Sequence, residues 1–275
     1  YSGFQNSDTS SVLTGDPSLS TNATAASDAG SYTITAGAGD LAATNYTFTY
    51  VDGSLTVNQK ALTITASDQS KTYGDTLTFV GNEFTTSTMV GSEGVTSATF
   101  TVGSSADSDT SADVGNYIIF PSAASGASGT DLNNYDITYV DGSLTVGKRT
   151  LTATLTDSTT KTYDGTTAAT LTSSNYSLSN LVTGESITVS ETSATYDNKN
   201  AGTGKTVTAN LASDDFTAAS GTSLNNYALP TGNVSGAIGE VTKANLTLTG
   251  TKTYDGTTSF AASDVTSVSG VNSET

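Results

Sequence analysis

The chain repeats itself, and that repetition limits its possible folds more than any other feature. Residues 45–57 read NYTFTYVDGSLTV and residues 134–146 read NYDITYVDGSLTV, identical at 11 of 13 positions and 89 residues apart. A degenerate third copy starts at Asn226-Tyr227. A second motif keeps step: KTYGDT at 71–76, KTYDGT at 161–166 and KTYDGT at 252–257, with offsets of 90 and 91. A third, D-x-G-x-Y, occurs at 28–32 and at 113–117. Motifs that share one period mark tandem units of about 90 residues rather than a single large domain. Each unit ends at the valine after the first motif (Val57, Val146, Val241), and the next opens at Lys60, Lys148 or Lys243. The expected division is 1–59, the C-terminal part of a truncated repeat; 60–147 and 148–242, two complete repeats; and 243–275, the N-terminal part of another. The pattern is cut at both ends, which reads as an excerpt from a longer protein. A unit of about 90 residues is large enough to have its own core, and the short linkers leave neighbours little freedom.

Inside a unit the apolar residues alternate, the period of a half-buried strand. Leu62, Ile64 and Ala66 take one face in the first complete repeat, as do Leu151, Ala153 and Leu155 in the second, with threonines between them. Asp52-Gly53 and Asp141-Gly142 match the two-residue type I′ turn of a hairpin. That turn would pair Tyr50 with Leu55, Thr49 with Thr56 and Phe48 with Val57, and in the next copy Tyr139 with Leu144 and Ile137 with Val146. Tyr32 and Tyr117, closing the D-x-G-x-Y motifs, fit the tyrosine corner of immunoglobulin-like sandwiches. The matching stretch of 148–242, Asn200 to Gly204, has no tyrosine. The expected fold is all-β: tandem immunoglobulin-like β-sandwich repeats, with a β-grasp-like unit carrying one short helix as the alternative.

Composition narrows the function. Ser (39) and Thr (55) make up about a third of the 275 residues, while Glu, Lys and Arg number six, eight and one, which favours strands over helices. The chain has no His and no Cys. That removes Ser-His-Asp and Cys-His catalysis, ordinary zinc and haem sites, iron–sulfur clusters and disulfides. With nine basic against 26 acidic residues and a net charge of −17, phosphate neutralisation cannot drive nucleic-acid binding. No apolar run approaches the ~20 residues of a membrane span, and no signal peptide is visible. Membrane insertion of this segment is not expected, and any export signal or anchor would lie outside it.

The KTY motifs follow L-T-x-T strands and are linked to Y-x-x-G-x-L-T-V segments. In that arrangement they resemble the bacterial MBG and YDG repeat domains. Lys71 to Asp75 is similar to the YGX type, and Lys161 to Gly165 and Lys252 to Gly256 to the YDG type. The resemblance covers essentially the whole chain. It implies an extracellular, secreted or surface-attached bacterial protein of the filamentous-haemagglutinin-like kind. It supplies no catalytic residues.

Several residue groups invite a sharper reading. Asp107, Asp109 and Asp113 lie close enough in sequence to offer oxygens to Ca2+, but no D-x-D-x-D-G loop is present; the competing reading is a solvated acidic surface that keeps tandem arrays soluble. Seven of the nine basic residues fall at recurring places: Lys60, Lys148, Arg149 and Lys243 at junctions, and Lys71, Lys161 and Lys252 in the KTY motif. A junction lysine is expected to hold a carboxylate of the next domain. A Lys–Asn isopeptide bond is a sharper option. Threonine rows suggest an ice-binding face or, more simply, the wet side of a strand. Paired carboxylates for glycoside hydrolysis are disfavoured by repetition and by the absence of Trp. Tyr73 and Tyr163 are expected as core anchors and Asp52, Gly53, Asp141 and Gly142 as turns. No enzyme activity and no cofactor beyond Ca2+ is expected. The expected role is a stalk that projects a binding region, its partners being neighbouring repeats. The alternatives are direct binding of host glycan or protein, or self-association in a biofilm matrix. A ligand site would then lie in 76–112 or 166–200, the least repeated stretches.

Overall fold

The computed structural model describes residues 1–103, 109–110 and 112–273. It is all-β, with 47% strand, and the helical turns among the described residues are three residues long. The β-grasp alternative, which needs a helix, is therefore not what forms.

In the repeat at 60–147 the strands fall into two sheets. One runs Phe84–Thr86, Lys60–Ala66, Tyr135–Val140; the other runs Gln69–Thr72, Gly142–Gly147, Gly115–Gly126, Val95–Val102. Lys60–Ala66 is parallel to Tyr135–Val140, with Leu62 opposite Ile137 and Ile64 opposite Tyr139. In 148–242 the same plan recurs. Arg149–Thr150 is parallel to Tyr227–Ala228, and a five-stranded sheet runs Thr159–Thr162, Gly232–Thr242, Gly202–Leu211, Ser193–Tyr196, Ala168–Thr170. Leu62, Ile64 and Tyr135 form one core cluster, and Leu151, Val207, Tyr227 and Val241 are likewise buried. Threonines and serines on the outer faces pair across strands, as Ser31 does with Ser54 and Thr208 with Ser235, both at 2.8 Å. That explains the hydroxyl-rich composition without an ice-binding face.

The hairpin expectation is overturned. The segments on either side of Asp141-Gly142 do not pair with each other but enter different sheets. In the copy at 45–57, Gly53–Val57 pairs instead with Gly30–Gly37, with Leu55 opposite Tyr32. Neither Gly53 nor Gly142 takes a left-handed φ, so neither Asp-Gly is a type I′ turn, and Asp141-Gly142 is a corner between two sheets. Glycine is needed at 142 for closeness, since a Cβ there would sit 2.8 Å from the Ala66 carbonyl oxygen. Near these glycines, Asp68 accepts from the Ser143 N–H at 2.8 Å, and Asp52 accepts from the Ala36 N–H at 3.1 Å.

The chain divides into two compact units: Tyr1–Gln69, Leu77–Ser108 and Tyr117–Leu144 form one, and Ser70–Thr76, Asp109–Asn116 and Thr145–Thr275 the other. Each unit contains residues from more than one sequence repeat, so contacts between neighbouring repeats occur inside each.

Candidate functional site

Three tyrosines, all following an asparagine, build the same device. Tyr135 and Tyr227 lie 92 residues apart and are buried at 3% and 1% exposure. The Tyr135 hydroxyl accepts from the Val90 N–H at 2.9 Å and donates to the Glu93 carboxylate. The Tyr227 hydroxyl accepts from the Val182 N–H at 3.0 Å and donates to Glu185. Tyr46 accepts from the Gln5 N–H at 3.1 Å and donates to Asp8 at 2.7 Å. In each case the acid closes a tight turn on the residue three before it: Glu93 N–H to Val90 O, Glu185 N–H to Val182 O, Asp8 N–H to Gln5 O. Gly91, Gly184 and Asn6 hold left-handed φ within these turns, which glycine and asparagine tolerate best. Burial first, and then Glu185, pushes the Tyr227 hydroxyl up to about 12.

In the second unit this device also receives the preceding repeat. Tyr73, from the KTY motif, donates to the other oxygen of Glu185. Its ring meets Tyr227 edge-on, centroids 5.5 Å apart at 81°, a favoured aromatic geometry. Burial and the Glu185 bond push the Tyr73 hydroxyl up to about 12. Arg149 reaches back to Asp75 at 2.9 Å and to the Tyr73 carbonyl at 3.1 Å, and its Nε donates to Asn180 O at 2.8 Å. Gly74, at φ +84°, lies so close to Val182 that a Cβ would come within 2.4 Å of the valine methyl.

A second contact between repeats occurs twice. Asn226 is 2% exposed; its oxygen accepts from the Val114 N–H at 3.0 Å and its amide donates to Asp113 at 2.6 Å. In the first unit Asn134 treats Ala29 and Asp28 the same way, at 2.7 and 2.9 Å. In each place an asparagine, buried at 226 and half-buried at 134, thus uses its amide N–H and its oxygen on the D-x-G-x-Y segment of the repeat before it. Tyr32, on the first D-x-G-x-Y segment, donates to the Asp28 carbonyl at 2.8 Å. Tyr117 lies half-buried on Gly115–Gly126.

The sequence-predicted residues divide between joint and surface. Tyr73 is a core anchor at 3% exposure, whereas Tyr163 is half-buried, with the Lys199 ammonium 5.9 Å from its ring centroid. Lys161 bonds its own motif, to Asp164 at 2.9 Å and to the Thr166 carbonyl at 2.9 Å, and Lys252 repeats this with Asp255 at 3.0 Å. The Lys161 bond, with help from Thr166, holds the Asp164 carboxyl down at about 2. Lys71 donates to the Asp109 carbonyl at 2.8 Å. The order of two residues matters here. Asp-Gly folds its carboxylate onto its own lysine, while Gly74-Asp75 offers it to Arg149.

Junction lysines do not behave as expected. Lys60, Lys148 and Lys243 are exposed and make no ion pair with the described residues; Arg149 makes the joint, and to the preceding repeat. Of the Ca2+ candidates, Asp107 lies outside the described residues and Asp113 serves Asn226. Among the described residues no three acids, His or Cys converge as a metal cluster. The buried lysine is Lys205, bonded to Asn198 at 2.6 Å and to Asp197 at 3.1 Å. The Lys205 bond holds the Asp197 carboxyl below its ordinary range.

Sequence reasoning missed the acid turns. Their signal is a V-x-x-E spacing at Val90–Glu93 and Val182–Glu185, inside stretches that look unrepeated; the third turn, Gln5 to Asp8, does not carry it. A family model for the MBG domain (YGX type) matches residues 1–56 and 62–145, and one for the YDG domain matches 147–234. The chain belongs to the MBG family, with a YDG domain in tandem. MBG and YDG domains are non-catalytic repeat domains associated with surface adhesin-like repeat proteins. No curated protein matches the chain. No helix among the described residues is long and apolar enough to cross a membrane.

Proposed function

We infer that this chain is a load-bearing spacer of a large extracellular bacterial protein of the adhesin type. In this reading the MBG and YDG repeats are links, and their buried residues at the joints hold successive links together. The observation that carries it is the Tyr73–Glu185–Tyr227 cluster, in which one carboxylate ties together tyrosines from two repeats. An isolated domain has no use for such a group on its end. The acidic surface suits the same role, because like-charged arrays stay soluble and separate.

Pulling the chain from its termini in a force microscope tests the spacer role. Each complete repeat should give its own force peak and release roughly 30 nm, about 90 residues at ~3.4 Å each. Extension without peaks would contradict it. Labelling intact cells with an antibody to the chain tests the location; staining only after permeabilisation would count against a surface role.

A further inference from the structure

The strands that open the 148–242 repeat run parallel to those that close it. Arg149–Thr150 is parallel to Tyr227–Ala228, and the Leu151 N–H adds a bond to the Ala228 carbonyl at 3.1 Å. Thr159–Thr162 is parallel to the end of Gly232–Thr242, with Thr159 opposite Gly239 and Thr162 opposite Thr242. The Tyr163 N–H extends that ladder to the Thr242 carbonyl at 2.8 Å. The repeat at 60–147 opens and closes in the same way, with Lys60–Ala66 parallel to Tyr135–Val140.

Parallel pairing decides how a pull on the ends of a repeat reaches its hydrogen bonds. If the opening and closing strands were antiparallel neighbours, both ends would leave from one side, and a pull would open the ladder one bond at a time. Here the chain enters through Arg149, opposite Tyr227, before Gly232–Thr242 begins. It leaves at Lys243, past the far end of that 11-residue strand. A pull on the two ends therefore slides the parallel strands lengthwise past each other, and the evenly spaced bonds of a parallel ladder must break together. The longer pair is also pinned by a side chain. The Tyr196 hydroxyl lies 3.2 Å from the Thr159 carbonyl and 3.4 Å from the Glu240 carbonyl, one on each strand. Gly239 makes room for the tyrosine ring, since a Cβ there would come within 2.6 Å of it. Leu151, Tyr196, Tyr227 and Val241 are all 3% exposed or less, so apolar packing shields the bonds beside them from water.

We propose that Thr159–Thr162 and Gly232–Thr242 form a shear clamp, and that this clamp sets the force at which the repeat opens. The proposal rests on the spacer reading and deepens it by naming the strands that carry the load. The direction of pulling tests it. The chain has no Cys, so paired cysteines give unambiguous handles for a force microscope in the full 275-residue chain. Lys148, Thr162 and Lys243 are exposed, and both double variants are first matched to the unaltered chain by melting temperature. Lys148→Cys with Lys243→Cys pulls the parallel strands lengthwise, while Thr162→Cys with Lys243→Cys opens the same pair from one end. At one loading rate the lengthwise pull should need at least about twice the force of the other, because forced unfolding follows the barrier that the breaking bonds present. Equal forces, or a lower force for the lengthwise pull, would overturn the proposal. The spacer reading is tested separately, by whether pulling from the termini gives peaks at all. Peaks without any dependence on direction would keep the spacer and remove the clamp.

Discussion

A buried hydroxyl that both accepts and donates is costly to remove, because two partners lose their bond at once. Tyr227 is such a group, shared between Val182 N–H and Glu185. Tyr227→Phe keeps the ring and should destabilise the chain by about 1–3 kcal/mol in urea unfolding; a change within ~0.3 kcal/mol would mean that water replaces the hydroxyl freely. The same tyrosines set the alkaline limit. The hydroxyls of Tyr73 and Tyr227, and of Tyr176 on the strand Tyr176–Ser179, which donates to the Glu191 carbonyl at 2.9 Å, are pushed up to about 12, burial being the largest cause in each. A folded-state value above the unfolded value of about 10 favours the fold fully below pH 10 and loses that contribution as pH rises toward 12. Melting temperature should therefore hold level to about pH 10 and fall between 10 and 12. In acid the reverse sign applies to Asp164, held near 2 by Lys161: its contribution is present above about pH 4 and fades below it.

At the scale of the element, one nearly identical segment has two outcomes. Tyr135–Val140 is a strand because Lys60–Ala66 lies beside it in parallel. Residues 46–51, almost the same sequence, carry no ladder, and no described strand takes the corresponding place beside them. Strand propensity and alternation were legible in the sequence; the partner was not, because alternation fixes which face is buried and says nothing about which neighbour supplies the hydrogen bonds. The Asp-Gly signal misled for the same reason, since two residues that suit a tight hairpin also suit a sheet corner. The two glycines can be told apart by experiment. A Cβ at 142 would meet backbone at 2.8 Å, while at 53 the nearest atom is Ile34 Cβ at 3.6 Å. Gly142→Ala should cost about 1–3 kcal/mol and Gly53→Ala far less, both read by denaturant midpoint. Equal costs would restore the turn explanation.

For the whole molecule, the period, the all-β class and the recurring lysines and tyrosines could be read directly from the chain, because identical residues return at fixed offsets. The acid turns could not. Their two middle residues vary as long as one takes a left-handed φ, so a valine and a glutamate repeat in two of the turns and Gln5 and Asp8 stand in their places in the third. The direction of the junction charge was also hidden, since Arg149 and Asp75 are 74 residues apart. That pair joins two repeats across a half-exposed surface, with side chains 29% and 53% exposed. A double-mutant cycle of Asp75→Ala and Arg149→Ala should give a coupling of about 0.2–1 kcal/mol that shrinks as salt rises; a coupling unchanged by salt would argue that Arg149 works through its carbonyl bonds alone.

Hydrogen exchange at the Val114 amide asks the central question, because that N–H is held by Asn226, a residue of the next repeat. If neighbouring repeats are latched, Val114 exchanges as slowly as amides of the sheet interior. Asn226→Ala should then speed it at least about tenfold while Val207, in the core of 148–242, stays protected. Fast exchange at Val114 in the unaltered chain would contradict the latch.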